Sequence, residues 1–178
     1  MTRDFMHVKA LLLITILAAA FAGAASSAET CTGFQWSVAT ELSWVAARDA
    51  EAVATGGSIA SIPDKAIELT LEHSPSVKLP AMPGIKKQAI AKNSFSGWFS
   101  IAEVGKPGTY QITIPNHAWI DVVQNNALVP STAFSGDKNC AGLHKSVRYD
   151  LGAGPMIVQI SGAPDKLMRL TIHASEKK

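Results

Sequence analysis

"TYQITIPNHAWIDVVQNN", from Thr109 to Asn126, alternates polar and apolar side chains over its first six residues. Tyr110, Ile112 and Ile114 fall on one face of an extended chain, because successive side chains of a strand point to opposite sides. The stretch ends in two asparagines, which tolerate the backbone conformation that a tight hairpin turn requires. The sequence therefore predicts two strands here, with a hairpin turn after the second.

The same two-residue period recurs along most of the chain after Ile59. It is clear in residues 65–73 ("KAIELTLEH"), 145–151 ("KSVRYDL") and 166–173 ("KLMRLTIH"). Such strands follow one another about every 8–12 residues with Gly, Pro or Asn between them, which is typical of antiparallel sandwiches. We predict a mainly β fold: an antiparallel, jelly-roll-like β-sandwich.

One early segment has a different period. In residues 37–55 ("SVATELSWVAARDAEAVAT"), Leu42, Val45 and Val53 recur near the 3.6-residue period of a helix, and a Gly-Gly pair follows. We predict one short N-terminal helix here, although the central "ELSWVAA" also fits a strand.

The first 28 residues have the three parts of a secretory signal. Arg3 and Lys9 give a basic start, an apolar run follows, and small residues at Ser26 and Ala28 suit a signal peptidase. We predict a signal peptide at 1–28 and a single β-sandwich domain at 29–178. An uncleaved anchor is the alternative, but no basic stop-transfer cluster follows the run.

The charge balance argues against two classes of partner. The formal net charge is +2 over 178 residues. A chain so close to neutral lacks the basic surface that binds nucleic acid or an anionic bilayer. We expect no nucleic-acid partner and no membrane span after signal cleavage.

The chain has two cysteines, Cys31 and Cys140. Two cysteines in an exported chain most often form a disulfide bond with each other. Two free thiols or a metal-binding pair are the alternatives, and no C-x-x-C spacing supports the metal. We predict the Cys31–Cys140 disulfide.

Two resemblances extend this interpretation. "GTYQITI" and "LGAGPMIVQISGAPDKLMRLTI" resemble the last strands of bacterial pre-peptidase C-terminal-like and related jelly-roll modules. "TELSWVAA", "AWIDVV" and "CAGLHKSV" together resemble a small family of exported bacterial proteins of uncharacterised function, some labelled homogentisate 1,2-dioxygenase. Neither resemblance implies a defined set of catalytic residues.

The dioxygenase label requires an iron site of two histidines and one carboxylate. After the leader the histidines are His73, His117, His144 and His173, and no two lie closer than 27 positions. The sequence also has no G-x-S-x-G elbow and no glycine-rich phosphate loop. We therefore predict no cofactor and no catalytic motif.

The candidate binding residues lie in "HAWIDVVQ", residues 117–124. If the alternate positions from Ala118 to Val122 face the interior, then His117, Trp119 and Asp121 share the other face. An indole between an imidazole and a carboxylate is a platform for a flat ligand such as a sugar ring. In the competing interpretations the 80–93 loop or the helix covers Trp119, or the two faces are exchanged.

The sequence thus favours a non-catalytic binding or interaction module in the periplasm or outside the cell. Its expected partner is a small molecule or glycan, with carbohydrate as one ligand class, or an envelope protein. A metal-dependent enzyme with the dioxygenase label and a structural accessory protein of the envelope are the alternatives.

Overall fold

The computed structural model describes residues 31–86 and 90–175. The predicted signal peptide at 1–28 lies outside the described residues. Within the described ranges, no helix is long and apolar enough to cross a membrane.

The described residues form one α-helix, α1 (Ala39–Ala46), a short 3₁₀ turn (Ser74–Ser76) and twelve strands. The strands are β1 (Glu51–Ala54), β2 (Gly57–Ser61), β3 (Ile67–Thr70), β4 (Glu72–His73), β5 (Phe95–Glu103), β6 (Gly108–Ile114), β7 (Trp119–Gln124), β8 (Ala127–Val129), β9 (Ser131–Gly136), β10 (Lys145–Leu151), β11 (Met156–Ala163) and β12 (Leu167–Ala174).

The strands form two sheets that pack face to face. The first has the order β1-β3-β12-β6-β10-β9 and the second β2-β5-β11-β7-β8, with β4 beside β5. Their central strands, β3-β12-β6-β10 and β5-β11-β7-β8, follow the jelly-roll arrangement, in which the chain crosses repeatedly between two four-stranded sheets. The predicted sandwich with one short helix is confirmed. The sheets are mixed, however, because the edge pairs β1–β3 and β2–β5 are parallel.

The core between the sheets consists of the alternate residues that the sequence pattern assigned to the interior. Ile67 and Leu69 of β3, Ile112 of β6 and Val147 of β10 all belong to one buried apolar cluster. The central strands β3, β5, β6, β7, β10, β11 and β12 each bury one face in this cluster, so a shift of one residue in any of them would move its apolar set to the opposite face.

The predicted hairpin turn after β7 is also present. Asn125 and Asn126 have φ angles of 52° and 61°, and they join β7 to β8. Positive φ at both central positions is the geometry of the type I′ turn, which matches the twist of two antiparallel strands.

The helix is shorter than the sequence predicted. It ends at Ala46, and Glu51–Ala54 forms strand β1, which pairs with β3. Val53 had been assigned to the helix, but it is buried in the main core instead. The free energy gained from pairing β1 with β3 and from burying Val53 outweighs the helix propensity of this segment, since helix propensity is only a weak preference.

Two edge strands were not predicted: β2, which begins at Gly57 before the two-residue period becomes clear, and β9. Short edge strands carry few residues, so their alternation is hard to detect in sequence.

The predicted disulfide is confirmed: Cys31 and Cys140 are bonded, with their Cα atoms 4.4 Å apart. A second, small apolar cluster surrounds it, formed by Cys31, Phe34, Val38, Leu42, Cys140 and Leu143. The bond therefore ties the segment before α1 to the loop between β9 and β10. A disulfide-bonded pair indicates a compartment other than the cytoplasm.

Replacing both cysteines, Cys31→Ser with Cys140→Ser, should lower the free energy of unfolding by about 4–5 kcal/mol, because the bond closes a loop of 109 residues. Urea unfolding of both proteins under non-reducing conditions measures the difference. A loss below about 1 kcal/mol would contradict a structural role for the bond.

Candidate functional site

Two of the three predicted platform residues, Trp119 and Asp121, lie side by side on the outer face of β7. Ala118, Ile120 and Val122 are buried in the main core, which confirms the assignment of the inward face. Trp119 lies on the outer face of β7 and is 38% exposed, whereas Trp36, Trp44 and Trp98 are less exposed. An indole with this much exposed surface is available for contact with another molecule.

Asp121 holds the indole in place. One carboxylate oxygen, Oδ1, accepts a hydrogen bond from Nε1 of Trp119 at 2.9 Å. The other, Oδ2, accepts one from the backbone N–H of Gly84 at 3.1 Å. Asp121 is only 8% exposed. Because the side chain is nearly buried and each oxygen accepts a hydrogen bond, Asp121 positions the indole of Trp119.

The electrostatics of Asp121 follow from its burial. Burial raises the pKa of its carboxyl, and this outweighs the hydrogen bonds from Trp119 and Gly84 and the nearby positive charge of Lys145, all of which lower it. The carboxylate therefore pays a desolvation penalty that its hydrogen bonds only partly offset. The Trp119 bond is most secure when the carboxylate is ionised.

A loop crosses the outer face of the second sheet beside Trp119. The N–H of Ala81 donates to Oε1 of Gln159 at 2.7 Å, and the N–H of Gly84 donates to Oδ2 of Asp121 at 3.1 Å. Gln159 and Asp121 are register partners on β11 and β7, so two adjacent side chains fasten the loop. One competing interpretation was that this loop covers Trp119; it contacts the edge of the indole and leaves the ring partly exposed.

Glycine is required at position 84 by this close approach. A Cβ there would lie 2.9 Å from Oδ1 of Asp121 and 3.3 Å from Nε1 of Trp119. The first distance is shorter than real side chains tolerate, so any larger residue would displace the loop or the carboxylate.

Lys145 reaches the same place from the other sheet. Its Nζ donates to the carbonyl of Ala118 and lies 5.5 Å from the ring centroid of Trp119. Burial lowers the pKa of Lys145, and the negative charge of Asp121 partly opposes that change. The indole is thus bordered by a cation near one face and a carboxylate at its N–H.

His117 is exposed, and its ring centroid lies 5.5 Å from that of His144. Burial lowers the pKa of His144, as do the positive charges of His117, Lys145 and Lys138. His73 instead packs edge-on against Phe95. No three His, Cys, Asp or Glu residues in the described ranges are close enough together to hold a metal ion.

Sequence alternation thus identified the face that bears Trp119 but not its surroundings. Gly84, Lys145 and Gln159 come from distant segments, and periodicity carries no information on such contacts. The "PG" at 83–84 marked a turn, yet nothing in it indicated which side chain the turn would meet.

Comparison with models of known protein families finds no match, and neither does comparison with curated proteins.

Gly84→Ala should push the loop away from Asp121 and weaken the hydrogen bond to its carboxylate. We expect the free energy of unfolding to fall by about 1–3 kcal/mol, as for other overpacked sites. Amide exchange near residue 84 should accelerate, and the fluorescence of Trp119 should change.

The matched control is Gly108→Ala, because a Cβ on Gly108 meets no atom within 4 Å. Equal effects of the two substitutions would show that the contact between Gly84 and Asp121 does not hold the loop.

Proposed function

We propose that this chain is an exported, non-catalytic binding module that holds a carbohydrate ring against the indole of Trp119. The observation that carries the proposal is an aromatic ring that is both 38% exposed and held by a hydrogen bond to a buried carboxylate. A ring fixed before the ligand arrives loses little conformational freedom on binding.

The chemistry of the surface suits a sugar. The face of an aromatic ring is electron-rich, and the C–H bonds of a sugar ring present weak positive charge to it. The amine of Lys145, 5.5 Å from the ring centroid, supplies hydrogen-bond donors for hydroxyls beside the ring, and the exposed imidazole of His117, two residues before Trp119, is a further predicted contact. Asp121 acts as a positioning residue.

A single aromatic platform buries little area, so we expect weak binding, with a Kd on the order of 1 mM for one sugar ring. Tighter retention would come from several such contacts along a polymer. Glycans are polymers of this kind, and the proposed partner is therefore a glycan rather than a free monosaccharide.

The proposed compartment is the periplasm or the outside of the cell. The leader-like residues 1–28 and the Cys31–Cys140 disulfide both support export. We also propose kinship with the pre-peptidase C-terminal-like modules and the small exported bacterial proteins; this part rests on the sequence segments quoted above.

Trp119→Ala should abolish retention on a glycan array or an immobilised polysaccharide. Because the indole is only partly buried, the free energy of unfolding should fall by less than about 2 kcal/mol, below the 3–5 kcal/mol typical of buried tryptophans. Phe134→Ala is the control, since Phe134 is 71% exposed on β9 of the other sheet. Retention that survives Trp119→Ala would overturn the proposal.

When the full chain is expressed in a bacterial host, the recovered protein should lie outside the cytoplasm and begin at Glu29. Intact-mass measurement of the periplasmic and medium fractions checks the cleavage after Ala28. A full-length chain confined to the cytoplasm would contradict export.

The iron content of the same purified material separates the competing dioxygenase function from binding. Stoichiometric iron would favour the dioxygenase.

A further inference from the structure

The loop that Gln159 and Asp121 fasten to the second sheet borders a cleft of about 730 Å³. We propose that this cleft binds a free amphiphile, a single alkyl chain with an anionic head group. The volume lies within the range of about 300–1,000 Å³ that small-molecule pockets have. Trp119 is not among the described residues that line the cleft, so this site is separate from the proposed glycan platform.

Hydrogen bonds to buried side chains fix the walls of the cleft. The lining residue Ala81 is held at both backbone groups, since its N–H donates to Oε1 of Gln159 at 2.7 Å and its carbonyl accepts from Nε2 at 3.3 Å. The hydroxyl of Ser74, another lining residue, is bonded to those of Ser94 and Ser96 at 2.9 and 2.7 Å. Gln159, Ser94 and Ser96 are all buried. A cleft built in this way exists before the ligand arrives and loses little conformational entropy on binding.

The apolar part of the lining is aliphatic. Partly buried lining residues alternate with exposed residues along the loop; they include Val77, Leu79, Pro83 and Ile85. Ile90 also lines the cleft, and its Cγ2 lies 4.0 Å from the position that a Cβ on Gly162 of β11 would take. No aromatic side chain is among the described lining residues. A ligand therefore gains free energy here from buried apolar area and not from ring stacking, which favours an alkyl chain.

Met82 adds exposed apolar surface to this lining. It is 86% exposed, more than any other large apolar side chain in the described ranges. The unbranched thioether side chain of methionine adapts to the shape of an apolar partner. A ligand that covers Met82 removes this surface from water, which contributes to binding.

The charged residues of the cleft select an anionic head group. Lys78 and Lys86 line the cleft and are exposed, and no Asp or Glu is among its described lining residues. Two amines without a neighbouring carboxylate attract an anion and repel an alkylammonium ion. Because both lysines are exposed, we expect the attraction to be modest and to weaken as salt is added.

The occupant is a free molecule and not a bilayer. Insertion into a bilayer requires a wide apolar face, and Met82 is the one large apolar side chain that is strongly exposed between residues 77 and 86. The formal net charge of +2 over 178 residues also gives little attraction to an anionic membrane. One alkyl chain fits the cleft without either requirement.

Isothermal titration calorimetry of the purified chain at low salt tests the proposal. Dodecanoate, kept below its micelle concentration, should bind at one site with a Kd on the order of 10–100 μM. Decanoate should bind about tenfold more weakly, because two fewer methylene groups are buried. Dodecyltrimethylammonium, which has the same chain and the opposite charge, should bind at least about fivefold more weakly than dodecanoate.

Two variants with matched controls test the residues. Met82→Gln should weaken dodecanoate binding about three- to tenfold, whereas Leu167→Gln, which replaces a side chain 51% exposed on β12, should leave it unchanged. Lys78→Gln combined with Lys86→Gln should remove the preference for dodecanoate over dodecyltrimethylammonium. Lys106→Gln, at an exposed position in the turn before β6, should keep that preference.

All of these substitutions are at exposed positions, so we expect the variants to fold like the parent. Failure of dodecanoate to bind, equal affinity for the two dodecyl amphiphiles, or unchanged affinity of the Met82→Gln variant would overturn the proposal. Sedimentation of the protein with phosphatidylglycerol vesicles would also overturn it, because a bilayer would then be the partner.

Discussion

Ile112 of β6 and Val122 of β7 both enter the space between the two sheets, and the burial of such alternate residues fixes the register of the central strands. The rest of the molecule depends on this constraint. Since successive side chains of a strand point to opposite faces of the sheet, the residues next to buried core residues face outward. Gln111 and Trp119 occupy their positions for this reason, as neighbours of core residues on the two opposite outer faces of the sandwich.

The two outer faces are covered in different ways. Helix α1 lies on the first sheet, held by the carbonyl contacts of Arg169 and by the disulfide at Cys31. The loop around Gly84 lies on the second sheet, held by Asp121 and Gln159. Each cover is smaller than the face beneath it, because one is an eight-residue helix and the other a loop. What remains uncovered on the second sheet is the aromatic ring of Trp119.

The sequence predicted the parts of this arrangement that are local. The alternation of Ile67 and Leu69 with polar residues and the asparagine pair at 125–126 could be recognised directly, since both patterns depend on residues adjacent in the chain. The end of α1 could not be predicted from the sequence. Val53 fits a helical period as well as a parallel strand, and only the pairing of β1 with β3 decides between the two. The contact between Glu41 and His173 joins the first helix to the last strand, and no local pattern reports on so distant a pair.

The central claim is that outward-facing residues fixed by the core register form ligand-binding surfaces. The most direct measurement is a two-dimensional ¹H–¹⁵N spectrum of the four tryptophan indoles during titration with an oligosaccharide. The account predicts that the indole N–H signal of Trp119 shifts with the oligosaccharide while that of Trp98 stays in place. A spectrum in which the Trp119 signal does not move at saturating oligosaccharide would contradict it.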